Sequence, residues 1–330
     1  MSSENPAESI LGLATAYWAS RCLHVIAEAG IADALGDAPQ TAAELAARTG
    51  TNADALHRIL RPLVARGIFT LQDGRFAHNA ASRLLRSDSQ PSLRGLARMM
   101  GLDFHWDCYR EMTHSLKTGH SGSEVVMPEG LFPRLAKNPE HGRIFNEAMA
   151  GKSVGMIGPV LANYDFTPFG TIGDIGGGTG HLLKAMLGAA PAARGVLFEL
   201  HEVIEQAGAA PHERIDFVGG DFFRNDIPSC DLYVMMMVLH DWSDDQSIAI
   251  LRNVAKTAPD GARLLLVEAV IDETQLGGFA VDLDVEMLTF AFGRERTAEQ
   301  WRNVVEKGGF RLTSARALNG MTGLVEAVKA

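Results

Sequence analysis

The chain has 330 residues, 46% of them hydrophobic and 21% charged, with 30 Lys and Arg against 40 Asp and Glu for a net charge of −10. That length is about two domains at ~150 residues each, and the balance is that of a folded globular protein, which sets aside disorder, collagen-like repeats and disulfide scaffolds. The acidic charge argues against a nucleic-acid binder that relies on phosphate neutralisation. The start, MSSENPAES, lacks the basic opening and apolar run of a signal peptide, and no uninterrupted apolar run reaches ~18 residues, so a cytoplasmic protein with no membrane partner is expected. Cys22, Cys108 and Cys230 lie far apart without CxxC spacing and read as isolated core thiols; no metal is expected.

The first hundred residues are rich in Ala and Leu, and apolar positions such as Ala16, Ala19, Leu23, Ile26 and Ala27 recur at helical spacing. Thr41-Ala-Ala-Glu44 has the order of a capping box, followed by a short helix, the break Thr49-Gly50-Thr51-Asn52 and a second helix from Ala53 to Arg66. Ile68 to Leu71, Asp73-Gly74 and Arg75-Phe76 then spell a tight hairpin, so the segment predicts a winged helix. Arg58, Arg61 and Arg66 are its candidate DNA readers, yet residues 1–100 hold ten Arg, no Lys and nine acids, and a fold reused for dimer contacts is the stronger expectation. Residues 101–165 add aromatics in helical pattern (Phe104, Trp106, Tyr109, Phe145, Met149, Met156), suited to a helical linker that also supplies an apolar pocket wall, although the spacing by itself favours ordinary helix packing.

From 166 to 330 short apolar runs alternate with helical patterns: Thr171 to Ile175, Gly195 to Leu200, Ile215 to Gly219, Leu232 to Leu239 and Arg263 to Val270, with a closing hairpin of Phe310 to Ala317 and Gly323 to Val328. Strands alternating with helices predict a mostly parallel sheet with its ligand at the carboxyl ends of the strands. The first strand runs into Asp174-Ile-Gly176-Gly-Gly178-Thr-Gly180, whose glycines let the backbone turn sharply and approach a ligand. A dinucleotide fingerprint would need glycine at His181, and no lysine follows as in a phosphate-binding loop. Glu199 ends the next strand, where an acid can accept both ribose hydroxyls of a nucleoside, and Gly219-Gly220-Asp221-Phe222 ends a third, offering a carboxylate and a ring to an adenine. Three strand ends each offering one part of an adenosine site are a strong joint signal. A fourth ends in Leu239-His240-Asp241-Trp242-Ser243-Asp244. His240 there suits a general base, Ser243 and Asp244 read as helix caps, and Glu268 and Glu295 could orient the imidazole.

With GGDFF followed by LHDWSD, the stretch Phe145-Asn-Glu-Ala-Met149 and the late Arg294-Glu-Arg-Thr297, the chain resembles the S-adenosylmethionine-dependent O-methyltransferases of the plant caffeate and bacterial polyketide or phenazine type. The resemblance implies an α/β fold, a Rossmann-like class I methyltransferase sheet (166–330) preceded by an all-helical winged-helix dimerisation domain (1–100) that binds no nucleic acid. It implies a homodimer, S-adenosylmethionine as cofactor and a hydroxylated small aromatic acceptor. By position, Gly176, Gly178 and Gly180 would pass beneath the methionine part with Asp174 supporting the loop, Glu199 would hold the ribose, Asp221 and Phe222 the adenine, and Leu200 would be a further cofactor contact. Met236 stands where plant members carry a lysine and would contribute its backbone, and Ser153 lies near a cofactor-touching position. His240 matches the base and Glu268 and Glu295 its flanking acids. Met149 and Met287 fall where the family clamps the acceptor, with Trp106, Phe145 and Phe290 as neighbours. The segment before Glu295 is shorter than in plant members and puts Ala291 in place of a substrate-facing asparagine, so the acceptor is not expected to be theirs. Methylation of nitrogen or carbon, a relative that no longer methylates, and a cofactor-sensing DNA-binding regulator are the alternatives.

Overall fold

A computed structural model describes residues 5–206, 212–274 and 277–330. The chain divides into two units, one of residues 1–107 with 129–152 and one of residues 108–128 with 153–330.

In the first unit, Thr41 caps the helix Ala42–Thr49 through a reciprocal capping box with Glu44, and Asn52 caps the helix Ala53–Val64 by accepting from the Ala55 amide. The box satisfies two amide donors that the first helical turn would otherwise leave without partners. Leu45, Leu56, Leu60 and Leu63 from these helices meet Phe69 and Phe76 in one core. The expected all-helical character does not hold in the wing. Strands β1 (Gln40–Thr41), β2 (Phe69–Gln72) and β3 (Arg75–His78) form a sheet of order β1-β3-β2. The cause is local: Asp73 and Gly74 both adopt positive φ, 50° and 73°, the geometry of a two-residue hairpin turn. The helix Pro6–Ala14 has no buried residue, and Ile10, Leu11, Leu13, Tyr17 and Trp18 are all exposed. The stretch Pro6–Glu28 is long and apolar enough to cross a membrane, but it is two helices separated at Thr15 and Ala16.

The second unit is built on seven strands: β4 (Thr171–Ile175), β5 (Arg194–Glu199), β6 (Ile215–Gly219), β7 (Leu232–Met236), β8 (Arg263–Glu268), β11 (Phe310–Ala317) and β12 (Gly323–Lys329). Two-residue strands β9 (Val270–Ile271) and β10 (Arg296–Thr297) pair separately, in parallel. The large sheet has the order β11-β12-β8-β7-β4-β5-β6, parallel except where β12 meets its two neighbours. Its strands read as unbroken apolar runs because helices cover both faces. Along β7, Leu232 and Val234 join the core with Leu182, Leu183 and Met186 of the helix His181–Ala189, while Tyr233 and Met235 join Ile250, Leu251, Val254 and Trp301 on the other face. The chain runs outward from β4 through β5 to β6 and then returns to β7 beside β4. That reversal opens a crevice at the carboxyl ends of β4 and β7, where ligands of such sheets bind.

Candidate active site

The glycine loop leaves β4 into this crevice. Gly176, Gly178 and Gly180 have φ of 71°, 56° and 73°, a left-handed alternation costly for residues bearing a Cβ. A Cβ on Gly177 would lie 2.4 Å from the Asp174 carboxylate, so the loop folds directly over that side chain. Asp174 is fully buried, and burial, reinforced by the charge of Glu199, pushes its carboxyl up to about 7. Glu199 accepts from the amides of Gly178 (3.0 Å) and Leu200 (2.8 Å), so the carboxylate at the end of β5 is fixed against the loop. Phe222 and Val238 approach the other side, being the nearest side chains to a Cβ built on Gly176. Asp221 accepts from the Phe223 amide at 2.8 Å and thereby closes its own turn. Met236 is half-buried at the end of β7, Leu200 is exposed, and Ser153 lies half-buried on the helix Pro139–Asn163. A crevice with a glycine cradle, a fixed carboxylate and an aromatic side chain fits an adenosyl cofactor.

His240 does not sit on the strand, as the continuous run Leu232 to Leu239 suggested. β7 stops at Met236, Met237 takes φ 54°, and His240 follows in a 3-10 turn, Leu239–Asp241. A bulky residue at positive φ is held only where its surroundings demand it. Glu268, at the end of β8, makes that demand by accepting from the amides of Val238 (3.0 Å) and Leu239 (2.8 Å). It therefore fixes the backbone that carries His240, while the imidazole Nδ1 lies 2.7 Å from Glu295 Oε1. All three side chains are buried. In the neutral ring that donates Nδ1–H to Glu295, Nε2 is the acceptor nitrogen; it lies 3.5 Å from an Asp241 carboxylate oxygen, which favours the protonated ring.

Sequence reasoning missed what supports this pair. The fully buried Arg296 donates to the carbonyls of Leu239 (3.0 Å) and Trp242 (2.8 Å), bonds Asp244 (2.9 Å) and lies over the Trp301 ring. Asp284, on the helix Phe279–Phe290, accepts from the Glu295 amide at 2.9 Å, and the Arg294 amide donates to the His240 carbonyl at 2.9 Å. The motif Arg-Glu-Arg-Thr was visible in the sequence, but a guanidinium serving carbonyls some 57 positions away has no local signature. Ser243 caps the helix Asp244–Thr257 as expected, with Gln246 completing the box.

The three side chains also bring one possible ligand atom each within 4.8 Å of one another. Nδ1 of His240 and Oε1 of Glu268 already carry hydrogen bonds, whereas the second carboxylate oxygens of Glu268 and Glu295 are buried with no hydrogen-bond partner. Of the residues expected at the acceptor, Met287 and Phe290 are buried in the second unit, whereas Trp106, Phe145 and Met149 belong to the first.

Burial opposes a charged imidazole at His240, but Asp241, the hydrogen bond to Glu295 and the charge of Glu268 outweigh it and raise the group to about 9. Burial likewise pushes Glu268 up to about 7, against the pull of His240. If the neutral ring is the working form, kcat/KM climbs about tenfold per pH unit on the acid side and levels off above about 9. Glu295→Gln keeps an acceptor for Nδ1–H but removes a charge favouring imidazolium, so its acid limb moves to lower pH. A pH–rate profile in which the two limbs coincide removes Glu295 from this role.

The fold and crevice are those of a protein that binds a nucleoside-bearing cofactor at the carboxyl ends of its strands. The O-methyltransferase domain model matches residues 109–311 and the O-methyltransferase dimerisation domain model residues 11–88, and the chain belongs to the S-adenosylmethionine-dependent O-methyltransferase family. It is an enzyme of that class with a dimerisation domain at its N-terminal end. The phenazine O-methyltransferase of Lysobacter antibioticus is 39% identical over 324 residues, covering 96% of this chain and 95% of that protein. The phenazine-1-carboxylate N-methyltransferase of Pseudomonas aeruginosa is 29% identical over 332 residues, covering 98% of each. Human N-acetylserotonin methyltransferase, solved with S-adenosylmethionine, superposes with a TM-score of 0.91 at 25% identity, covering 100% of this chain and 99% of that one.

Proposed function

We propose that this enzyme methylates a hydroxyl of a small aromatic acceptor, of phenol, polyketide or phenazine type, with His240 as general base and no metal. The observation that carries the reading is the buried His240–Glu295 pair, which leaves Nε2 as a proton acceptor beside the cofactor crevice. Gly176, Gly178, Gly180 and Glu199 hold the cofactor, with Asp174 beneath the loop, Asp221 and Phe222 at its adenine, and Leu200, the Met236 backbone and Ser153 as further contacts. S-adenosylmethionine supplies an electrophilic methyl group. His240 takes the hydroxyl proton as the oxygen becomes nucleophilic, Glu295 stabilises the imidazolium, and Glu268 keeps the ring's backbone still. General-base help is worth about 10²- to 10⁴-fold, and positioning contributes the remainder. Met287 and Phe290 give the acceptor an apolar, adaptable wall.

The exposed apolar side chains of Pro6–Ala14 and of Tyr17 and Trp18 support a homodimer formed through the N-terminal region; a cytoplasmic location without nucleic-acid or membrane partners completes the proposal. The test is release of S-adenosylhomocysteine across a panel of phenols, anthraquinones, flavonoids and hydroxyphenazines, run with and without a chelator and with the methylated atom identified by mass spectrometry and NMR. Turnover on a hydroxylated aromatic that survives the chelator is expected. Loss on chelation would remove the metal-free mechanism. Methyl transfer to nitrogen alone would favour the second reading, which the Pseudomonas aeruginosa relative supports.

A further inference from the structure

Two carboxylate oxygens beside the base have no partner. Glu268 uses Oε1 for the amides of Val238 and Leu239, and Glu295 uses Oε1 for His240, whereas Oε2 of each is buried without a hydrogen bond. The side chains that carry them are 0% and 1% exposed, so bulk solvent does not supply the missing contacts. A carboxylate oxygen left bare in this way is costly, and either a proton or a cation removes the cost. The guanidinium of Arg296, buried nearby, bonds the carbonyls of Leu239 and Trp242, the Ser247 hydroxyl and Asp244, and reaches neither oxygen. His240, Glu268 and Glu295 each offer one ligand atom, and these three atoms lie within 4.8 Å of one another. Three atoms so spaced enclose a point at most about 2.8 Å from each, and Zn²⁺ bonds of ~2.0–2.2 Å require each ligand to move in by less than ~1 Å. One imidazole with two carboxylates suits Zn²⁺, Co²⁺ or Ni²⁺, which accept nitrogen and oxygen together. Mg²⁺ and Ca²⁺ prefer oxygen alone, and Mg²⁺ gives up its waters reluctantly.

We propose that His240, Glu268 and Glu295 form a binding site for a transition-metal dication such as Zn²⁺, and that the bound ion silences the enzyme. The silencing rests on His240 being the base, as read above; the site itself does not. The ion takes the place of the hydrogen between Nδ1 and Glu295, whose 2.7 Å separation opens as the two become ligands. Nδ1 then gives its lone pair to the metal, and the neutral ring carries its one hydrogen on Nε2. Nε2 becomes a donor with no lone pair for the proton of an acceptor hydroxyl. Glu268 turns its bare oxygen to the ion while Oε1 stays on the two amides, so the turn that carries His240 keeps its position. The glycine loop and Glu199 take no part, so cofactor binding is left intact.

The experiment titrates chelator-stripped full-length protein with Co²⁺, followed by its visible absorption, and with Zn²⁺, followed by calorimetry, both in the presence of excess Mg²⁺. Wild type should bind one ion per chain at this site. His240→Ala, Glu268→Gln and Glu295→Gln should each weaken that binding by about tenfold or more, at least the loss seen when a metal site loses a supporting group. Saturating Zn²⁺ should lower the kcat of wild type by at least about tenfold, with S-adenosylhomocysteine affinity held within about twofold, and a chelator should restore the rate. Whatever turnover Glu268→Gln retains should be insensitive to the Zn²⁺ concentration that silences wild type. Cofactor binding and melting temperature identify any variant that fails to fold, and Glu268→Gln, nearly isosteric and still able to accept from the two amides, keeps the test open if His240→Ala does. No binding in wild type, or binding that is the same in all three variants, overturns the proposal. So does a wild-type kcat that saturating Zn²⁺ leaves unchanged, or turnover that requires the ion. Binding that is lost in the variants of a protein releasing no S-adenosylhomocysteine with any acceptor would instead leave the metal site standing and bring down the methyl-transfer reading.

Discussion

Replacing His240 with alanine is expected to lower kcat by about 10²- to 10⁴-fold on any hydroxylated acceptor, while cofactor affinity stays within about twofold of wild type. The imidazole is the one buried side chain of the three that combines a proton acceptor, Nε2, with a carboxylate partner on its other nitrogen. Its loss removes proton acceptance from the transition state but leaves the glycine loop and Glu199 unaltered. The effect therefore belongs in kcat and kcat/KM together, the signature of an interaction made in the transition state. Single-turnover rates beside calorimetry of S-adenosylhomocysteine binding separate the two. Near wild-type turnover would falsify the base assignment. Equal losses of turnover and cofactor affinity would mean that His240 acts by holding the fold.

Gly293→Ala should do comparable damage without touching any group that reacts. A Cβ built there lies 1.7 Å from the His240 carbonyl oxygen and 2.6 Å from the Asp241 carbonyl carbon. Both are backbone atoms, so no side-chain rotation relieves the overlap. The 3-10 turn must move, and it is already constrained by Glu268 from one side and by Arg296 from the other. Overpacking of this kind costs about 2–3 kcal/mol, read as a fall of ~5–10 °C in Tm for a unit of this size. Because the turn that shifts carries the base, kcat should fall by more than about 100-fold, a misplacement of ~1 Å being sufficient. Wild-type melting together with wild-type kcat would show that the two segments can spread apart without disturbing His240. If Tm falls but the residual folded enzyme turns over normally, the glycine serves stability alone.

Much of the site was legible locally because it is made of local devices. The capping boxes at Thr41 and Ser243 operate across three residues, the Asp73-Gly74 turn across two, and the glycine alternation from Gly176 to Gly180 across five. Each announces itself through residue types that few other backbone conformations require. The alternation of apolar strand and amphipathic helix from residue 171 onward likewise imposed a mostly parallel, doubly covered sheet. With the motifs GGDFF and LHDWSD it led to the S-adenosylmethionine-dependent O-methyltransferase family, which the family models matched to this chain establish.

The tertiary structure decided which of several eligible groups meet. Glu268 and Glu295 were equal candidates for the imidazole, yet one binds the ring and the other binds the backbone two residues ahead of it. The partners His240 and Glu295 are 55 residues apart, and their pairing follows from how β8, β10 and the helix Phe279–Phe290 pack around the end of β7. The early end of β7, the left-handed Met237 and the buried Arg296 share this origin. Local propensity reaches only a few residues along the chain, so it can prescribe turns, caps and strands. The identity of a buried hydrogen-bond partner is set by packing among segments distant in sequence, where each polar group must find one or incur the cost of burial alone.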